Sequence, residues 1–262
     1  MLESLKNRTA VVTGSSSGIG RAIAIALARQ GANVVLHGRE PSDRIAKVND
    51  EIAACGVKTT SLFADFADIE SWDEFVTDAW AWDDGVDIWV NNAGGDVLTG
   101  KWKDESLEQK LDYLFQVDVK ATLMLSRSIG AMMTQRANRP GRSSIINIGW
   151  DQAAQGMAGE SGELFATTKG AIMAMTKSLA QSLAPQVRVN CIAPGWIKTQ
   201  WGDEASDDWQ TRATGDALMA RWGQPEDVAA AAVFLSSDAA SFVSGQVLPV
   251  NGGFRFFKEN EK

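Results

Sequence analysis

Residues 9–30 read Thr9-Ala10-Val11-Val12-Thr13-Gly14-Ser15-Ser16-Ser17-Gly18-Ile19-Gly20-Arg21-Ala22-Ile23-Ala24-Ile25-Ala26-Leu27-Ala28-Arg29-Gln30, and this stretch decides how the chain folds. Thr9–Thr13 is a short apolar run rich in β-branched residues and reads as a strand. Three glycines punctuate the serine-rich turn that follows. The alanine-rich stretch Ile19–Gln30 then reads as a helix, which Gly31 stops. A strand running through a glycine-rich turn straight into a helix leaves the helix's first N–H groups unpaired at the strand's carboxyl end, where an anion can approach the backbone.

The same alternation continues along the chain. Asn33–His37, Thr59–Phe63, Val86–Val90, Ser143–Ile148, Arg188–Ile192 and Gln246–Val250 read as further strands. Ser42–Ala54, Ile69–Trp82, Ser106–Arg136 (one long helix), Leu164–Leu183 and Pro225–Leu235 read as helices, the last with Pro at its start. Ala205–Ala220 reads as a helical flap. This order predicts an α/β chain folded as one Rossmann domain over residues 1–262, a doubly wound seven-stranded parallel sheet with helices on both faces and a flap near 200–222. In such a unit the turn from Gly14 through Ser16, Ser17, Gly18, Ile19 and Gly20 is a cradle for a dinucleotide pyrophosphate.

Composition narrows the partners. The chain has 262 residues, 45% hydrophobic, and a net charge of -8 without a Lys/Arg cluster, which argues against nucleic acid and anionic membrane. No apolar run is long enough to cross a bilayer, and the first residues have no apolar core of the kind a signal peptide needs, so a cytoplasmic protein is expected. Cys55 and Cys191 lie far apart and read as buried residues. With a single histidine, His37, no metal site is expected. His37 reads as a strand-end residue near an adenine pocket, and the acidic Asp203–Asp208 neighbourhood as a solvated loop.

Gly14-x-x-x-Gly18-x-Gly20, followed by Asn91-Asn92-Ala93-Gly94, resembles the short-chain dehydrogenase/reductases, and the resemblance covers nearly the whole chain. Asn190-Cys191-Ile192-Ala193-Pro194-Gly195-Trp196-Ile197-Lys198-Thr199 is similar to the family's N-x-x-A-P-G-x-x-x-T segment, and Val243-Ser244-Gly245-Gln246 through Asn251-Gly252-Gly253 to its closing strand. The resemblance implies that Asp65 contacts adenine, that Asn91, Ala93 and Gly94 lie along the cofactor, and that Pro194, Gly195, Ile197 and Thr199 embrace the nicotinamide. Family members that use NAD keep an acid at the end of the second strand, where this chain has Gly38 followed by Arg39. A guanidinium suits a 2′-phosphate in charge and geometry, so NADP(H) is expected over NAD(H). The competing reading makes Arg39 an exposed loop residue.

The expected proton chemistry is missing. The family reduces carbonyls with a Tyr-x-x-x-Lys pair, a Ser and an Asn, because the substrate oxygen needs a proton as hydride reaches the carbon. Here Lys169 remains, but Phe165 stands four residues before it, and the chain's single tyrosine is Tyr113. Trp150 takes the serine's place and Asp118 the asparagine's. Asp118 either anchors a water through its backbone carbonyl or pairs with Lys169. Lys169 either holds the nicotinamide ribose or is a solvated helix residue. The Trp150–Phe165 segment is about two residues longer than the family's usual spacing, which leaves room for Ser161 to approach the pocket. Asp151, Glu160 and Glu163 are nearby carboxylates that read either as solvated loop acids or, where buried, as sources of protons.

Ten tryptophans are unusual in this length. Trp72, Trp80, Trp82 and Trp89 read as core or covering aromatics. Trp150, Trp196, Trp201, Trp209 and Trp222 follow the fifth and sixth strands, and either line an apolar cleft or pack the flap on the sheet. At the serine position Trp150 implies either a planar ligand stacked on indole or an occluded pocket, so an apolar or aromatic small molecule is a candidate partner. Three functions compete. The first is a non-catalytic NADP(H)-binding homologue acting as sensor, regulator or silent subunit. The second is an active reductase with another proton donor, and the third a pure assembly module. By family analogy a homodimer or homotetramer is expected.

Overall fold

The computed structural model describes residues 4–136, 141–200, 202 and 206–254. Strands β1 (Thr9–Val12), β2 (Asn33–Gly38), β3 (Thr59–Phe63), β4 (Ile88–Asn91), β5 (Ser143–Ile148), β6 (Val187–Pro194) and β7 (Val247–Val250) pair in the order β3-β2-β1-β4-β5-β6-β7. All six pairings are parallel. The chain starts in the middle, winds outward to β3, then returns to pair β4 with β1. That reversal, fixed by Val12 opposite both Leu36 and Val90, opens a crevice at the strands' carboxyl ends.

Alternation along the strands supplies both faces. Val12, Val34, Leu36 and Val90 point toward α1 (Gly18–Arg29), α2 (Asp43–Ala53) and a late helix, Pro225–Ser236. Val11, Val35, Trp89, Ile145 and Val189 point to the other face, against α3 (Ser71–Ala81) and the long helices of the second half. Trp72 and Trp89 are buried in that second layer, with Trp80 and Trp82 half-buried against it. The expected fold class holds.

Several expected boundaries shift. Ser106–Arg136 is three segments: α4 (Leu107–Leu114), a wide π turn over Phe115–Lys120, and α5 (Ala121–Arg136). α4 begins at a capping box in which Ser106 and Gln109 satisfy each other's backbone. After the short α6 (Gln152–Gln155), helix α7 starts at Glu160 and runs to Leu183, earlier than expected. Glu160 and Glu163 therefore sit in a helix's first turn, and Glu160 pairs with Lys110 at 2.7 Å. Within the flap, α8 (Asp207–Asp216) carries Asp207 and Asp208 in its first turn, where they complement the helix dipole, so these two are not loop acids. Trp201 and residues 203–205 lie outside the described residues. The Pro225–Ser236 helix is α9. Cys191 is buried as expected, but Cys55 is only half-buried.

Candidate functional site

The turn after β1 is held by side chains whose polar atoms are spent on backbone. The Thr13 hydroxyl donates to Val90 O at 3.2 Å and accepts from the N–H groups of Asn92 (2.9 Å) and Ala93 (3.0 Å). The Asn92 amide donates to Thr13 O and Gly14 O at 2.9 and 3.0 Å. Two glycines are obligatory. Gly14 has φ +62°, a left-handed conformation, and a Cβ on Gly20 would lie 2.3 Å from Gly14 O. Ser17 caps α1 without a side-chain hydrogen bond, which leaves the first-turn N–H groups for a ligand oxygen. Ser16, Ser17, Gly18, Ile19 and Gly20 all border a cleft of about 640 Å³. A backbone cradle and an open helix N-terminus fit a pyrophosphate.

His37 links this turn to the cleft's other end. Its Nδ1 accepts from Gly14 N–H at 3.0 Å, so Nε2 carries the proton and faces Ala64 O at 3.0 Å. The ring stacks on Phe66 with centroids 4.3 Å apart. Burial pulls the His37 pKa down to about 4, against the opposing pull of the Ala64 carbonyl and the Asp65 charge. It is the strand-end residue beside the pocket that its position implied. Exposed Arg39 and Asp65 also border the cleft. A Cβ at Gly38 would touch Ile45 Cδ1 at 3.2 Å, so a side chain there needs that methyl to give way by a few tenths of an ångström.

At the other end, Asp118 sits in the π turn, a geometry that often marks functional positions. It is 1% exposed, accepts from Gly95 N–H at 2.7 Å, and pairs with Lys169 Nζ at 2.8 Å. The ion pair, one of the two expected alternatives, is present in the structure. A Cβ on Gly94 would lie 3.4 Å from both Asp118 oxygens and from Lys169 Nζ, so the pair adjoins the cleft.

Beyond Lys169 lies a second, apolar cavity of about 240 Å³, walled by Trp150, Trp196, Trp209, Phe165, Met157 and Leu98, with Ser161 and Lys169 as its polar side chains. Ser161, Phe165 and Lys169 follow each other at helical spacing on α7. The Trp150 and Phe165 rings meet edge to face at 6.4 Å. Trp196 packs on Trp209 (5.2 Å) and Trp222 (6.2 Å), and Arg212 lies over the Trp209 ring at 5.1 Å. The tryptophans therefore serve both expected purposes: they seat α8 on the sheet and they line a cavity.

The structure brings Gly14, Ser16–Gly20, Arg39, Asp65, Ala93, Gly94 and Thr199 to one cleft. It does not bring Asn91 there. Asn91 is buried, accepting from Trp89 Nε1 and donating to Ser126 and Asn147. Pro194, Gly195 and Ile197 also stay off its wall. Gly195 packs on Asn251, and Ile197 bridges Gly223. Asp151 is not a solvated acid. It is 7% exposed, accepts from Asn251 at 3.1 Å, and burial raises its pKa. Trp102, Tyr113 and Lys101 line the cleft as well, although no motif marks them.

Residues 14–255 match the family model described as Enoyl-(Acyl carrier protein) reductase. The 3-oxoacyl-[acyl-carrier-protein] reductase of Aquifex aeolicus is 35% identical over 253 residues, covering 95% of this chain and 98% of the relative. Among solved structures, a 3-oxoacyl (acyl-carrier-protein) reductase from Agrobacterium tumefaciens C58 with NADP bound superposes with a TM-score of 0.84 at 30% identity, covering 97% and 96% of the two chains. A 7α-hydroxysteroid dehydrogenase complexed with NADH and 7-oxo glycochenodeoxycholic acid gives 0.85 at 31%, covering 96% of each. The chain belongs to the short-chain dehydrogenase/reductase family of oxidoreductases. Its solved relatives include one holding NADP and one holding NADH.

Proposed function

We propose that this chain is an NADP(H)-binding family member that lacks the tyrosine-dependent transfer of hydride to or from a carbonyl, and acts as a sensor, regulator or silent subunit. One observation carries the reading. Phe165 faces the apolar cavity one turn before Lys169, and Trp150 meets it edge to face where a substrate-orienting hydroxyl belongs. A nicotinamide cofactor supplies hydride, and the protein's task in this family is to deliver the matching proton. A phenyl and an indole carbon surface deliver none. The sole tyrosine, Tyr113, borders the other cleft.

The pyrophosphate falls to the Gly14–Gly20 turn, the adenosine to Arg39 and Asp65, and the nicotinamide ribose to Lys169. Arg39 on the cleft wall, with Gly38 instead of an acid before it, supports preference for NADP(H). Exposed Leu107, Phe115 and Met124 along α4, the π turn and α5 support a homodimer or homotetramer. Titration with NADPH and NADH, followed by tryptophan emission, tests the binding half: NADPH binds more tightly. The combined variant Phe165→Tyr, Trp150→Ser and Asp118→Asn tests the other half. Gain of carbonyl reduction supports the reading, and no gain means that the pocket has diverged beyond its proton groups.

A second reading rests on the Lys169–Asp118 pair, whose ammonium borders the cavity. It can protonate carbon during reduction of a conjugated C=C, which needs less help at oxygen. Turnover that survives Phe165→Ala and collapses on Lys169→Ala selects this reading.

A further inference from the structure

The tenth tryptophan, Trp102, stacks on Tyr113 with centroids 4.2 Å apart and planes 20° from parallel, and Lys101 Nζ lies 5.2 Å from its ring centre. All three border the dinucleotide cleft, although they come from the segment between β4 and α4 and from α4 itself, well away from the glycine turn. The segment is built to hold them there. Asp96 accepts from the N–H groups of Leu98 and Thr99 and from the Thr99 hydroxyl, and Gly100 takes φ +59°. Trp102 and Tyr113 rest on the small apolar cluster of Val97, Leu114 and Leu164. Gly95 gives Tyr113 its place, since a Cβ there would meet the phenol ring at 2.8 Å.

The pair belongs to the adenosine end. Tyr113 and Trp102 line the same cleft as Arg39 and Asp65; burial raises the Tyr113 pKa, Arg39 lowers it, and the charges of Asp65, Asp118 and Asp96 raise it. In a doubly wound sheet the loop closing β2 receives the adenosine ribose, and Arg39 belongs to that loop. The cleft therefore has two aromatic borders, His37 stacked on Phe66 and Trp102 stacked on Tyr113.

Building on the NADP(H) reading above, we propose that Trp102 and Tyr113 form an added aromatic wall for the adenine of the dinucleotide, with Lys101 placed to meet its phosphates. The wall acts on the adenosine half alone. The ligand class it selects is thus an adenosine bearing phosphates, whether or not a nicotinamide is attached. A protein that holds its cofactor without turning it over is served by contacts that do not depend on the redox state.

Calorimetric titration of the full chain with 2′,5′-ADP and with NADPH tests this. Wild type binds both. Trp102→Ala weakens both by about tenfold or more, the scale of losing one base–aromatic stack, while Trp102→Phe keeps most of the affinity. Lys101→Ala weakens both by about threefold, the scale of one exposed charge contact. Equal affinity for 2′,5′-ADP in wild type and in a folded Trp102→Ala variant overturns the wall and leaves the NADP(H) reading standing. If Trp102→Ala does not fold, Trp102→Leu, which keeps apolar bulk but removes the stacking face, takes its place, and unchanged affinity for both nucleotides in it overturns the wall. Failure of wild type to bind either nucleotide overturns both proposals.

Discussion

The glycine-turn cleft and the tryptophan-lined cavity adjoin where Gly94 meets the Lys169–Asp118 pair, and they are built by different rules. The cleft is made of backbone. Its glycines approach other main-chain atoms, and Thr13, Asn92 and His37 spend their polar atoms fixing peptide groups. The cavity is made of large side chains on a frame that does not depend on their chemistry. Phe165 on α7 and Trp150 after β5 fill space without holding the sheet together. Exchange at the glycine turn disturbs the fold, whereas exchange at Phe165 or Trp150 changes mainly the chemistry of the cavity, which is how a family member can keep the first and change the second.

The sharpest way to break that contrast is at the ion pair between the two. Lys169→Met leaves Asp118, 1% exposed, as a buried charge without its 2.8 Å partner. The loss is about 3–5 kcal/mol of stability, read by denaturant unfolding. Adding Asp118→Asn restores most of it. If the single variant is as stable as wild type, the pair is not holding the two regions together.

The cleft also carries a pH signature. His37 is neutral in the fold, with a pKa of about 4 against 6.5 in the unfolded chain. The unfolded state therefore binds the extra proton first as pH falls. The contribution is complete above about pH 6.5 and is lost on the way down to about pH 4, a change of about 3 kcal/mol. Unfolding midpoints across that range are expected to fall, and His37→Asn to flatten the slope. Next in size is Gly20→Ala, whose methyl would meet Gly14 O at 2.3 Å and the Asn92 amide at 2.4 Å. It costs about 1–3 kcal/mol and weakens NADPH binding, whereas Phe165→Ala leaves NADPH affinity unchanged. The smallest effect is on selectivity: Arg39→Asp weakens NADPH by about tenfold and strengthens NADH, in competition titrations.

The sheet was legible because short, continuous apolar runs rich in β-branched residues and a glycine turn at a strand–helix junction leave few alternatives. The break in Ser106–Arg136 was not, since a π turn adds one residue without disturbing the apolar spacing around Val117 and Ala121. Asp151 looked like a loop acid because its partner, Asn251, is 100 residues away. Asn91 was assigned to the cofactor from its motif, but a motif does not tell which way a strand residue points, and Asn91 points inward to Ser126 and Asn147. Trp102 carried no signal at all: a lone aromatic between Lys101 and Lys103 gains meaning only when Tyr113 is folded against it.

The most direct measurement loads the purified chain with one equivalent of NADPH, then adds a panel of diketones, quinones and aldehydes while nicotinamide absorbance is followed. The account predicts stoichiometric binding and an absorbance that stays constant. Oxidation of the bound NADPH at ordinary enzymatic rates, with Phe165 and Trp150 in place, contradicts it.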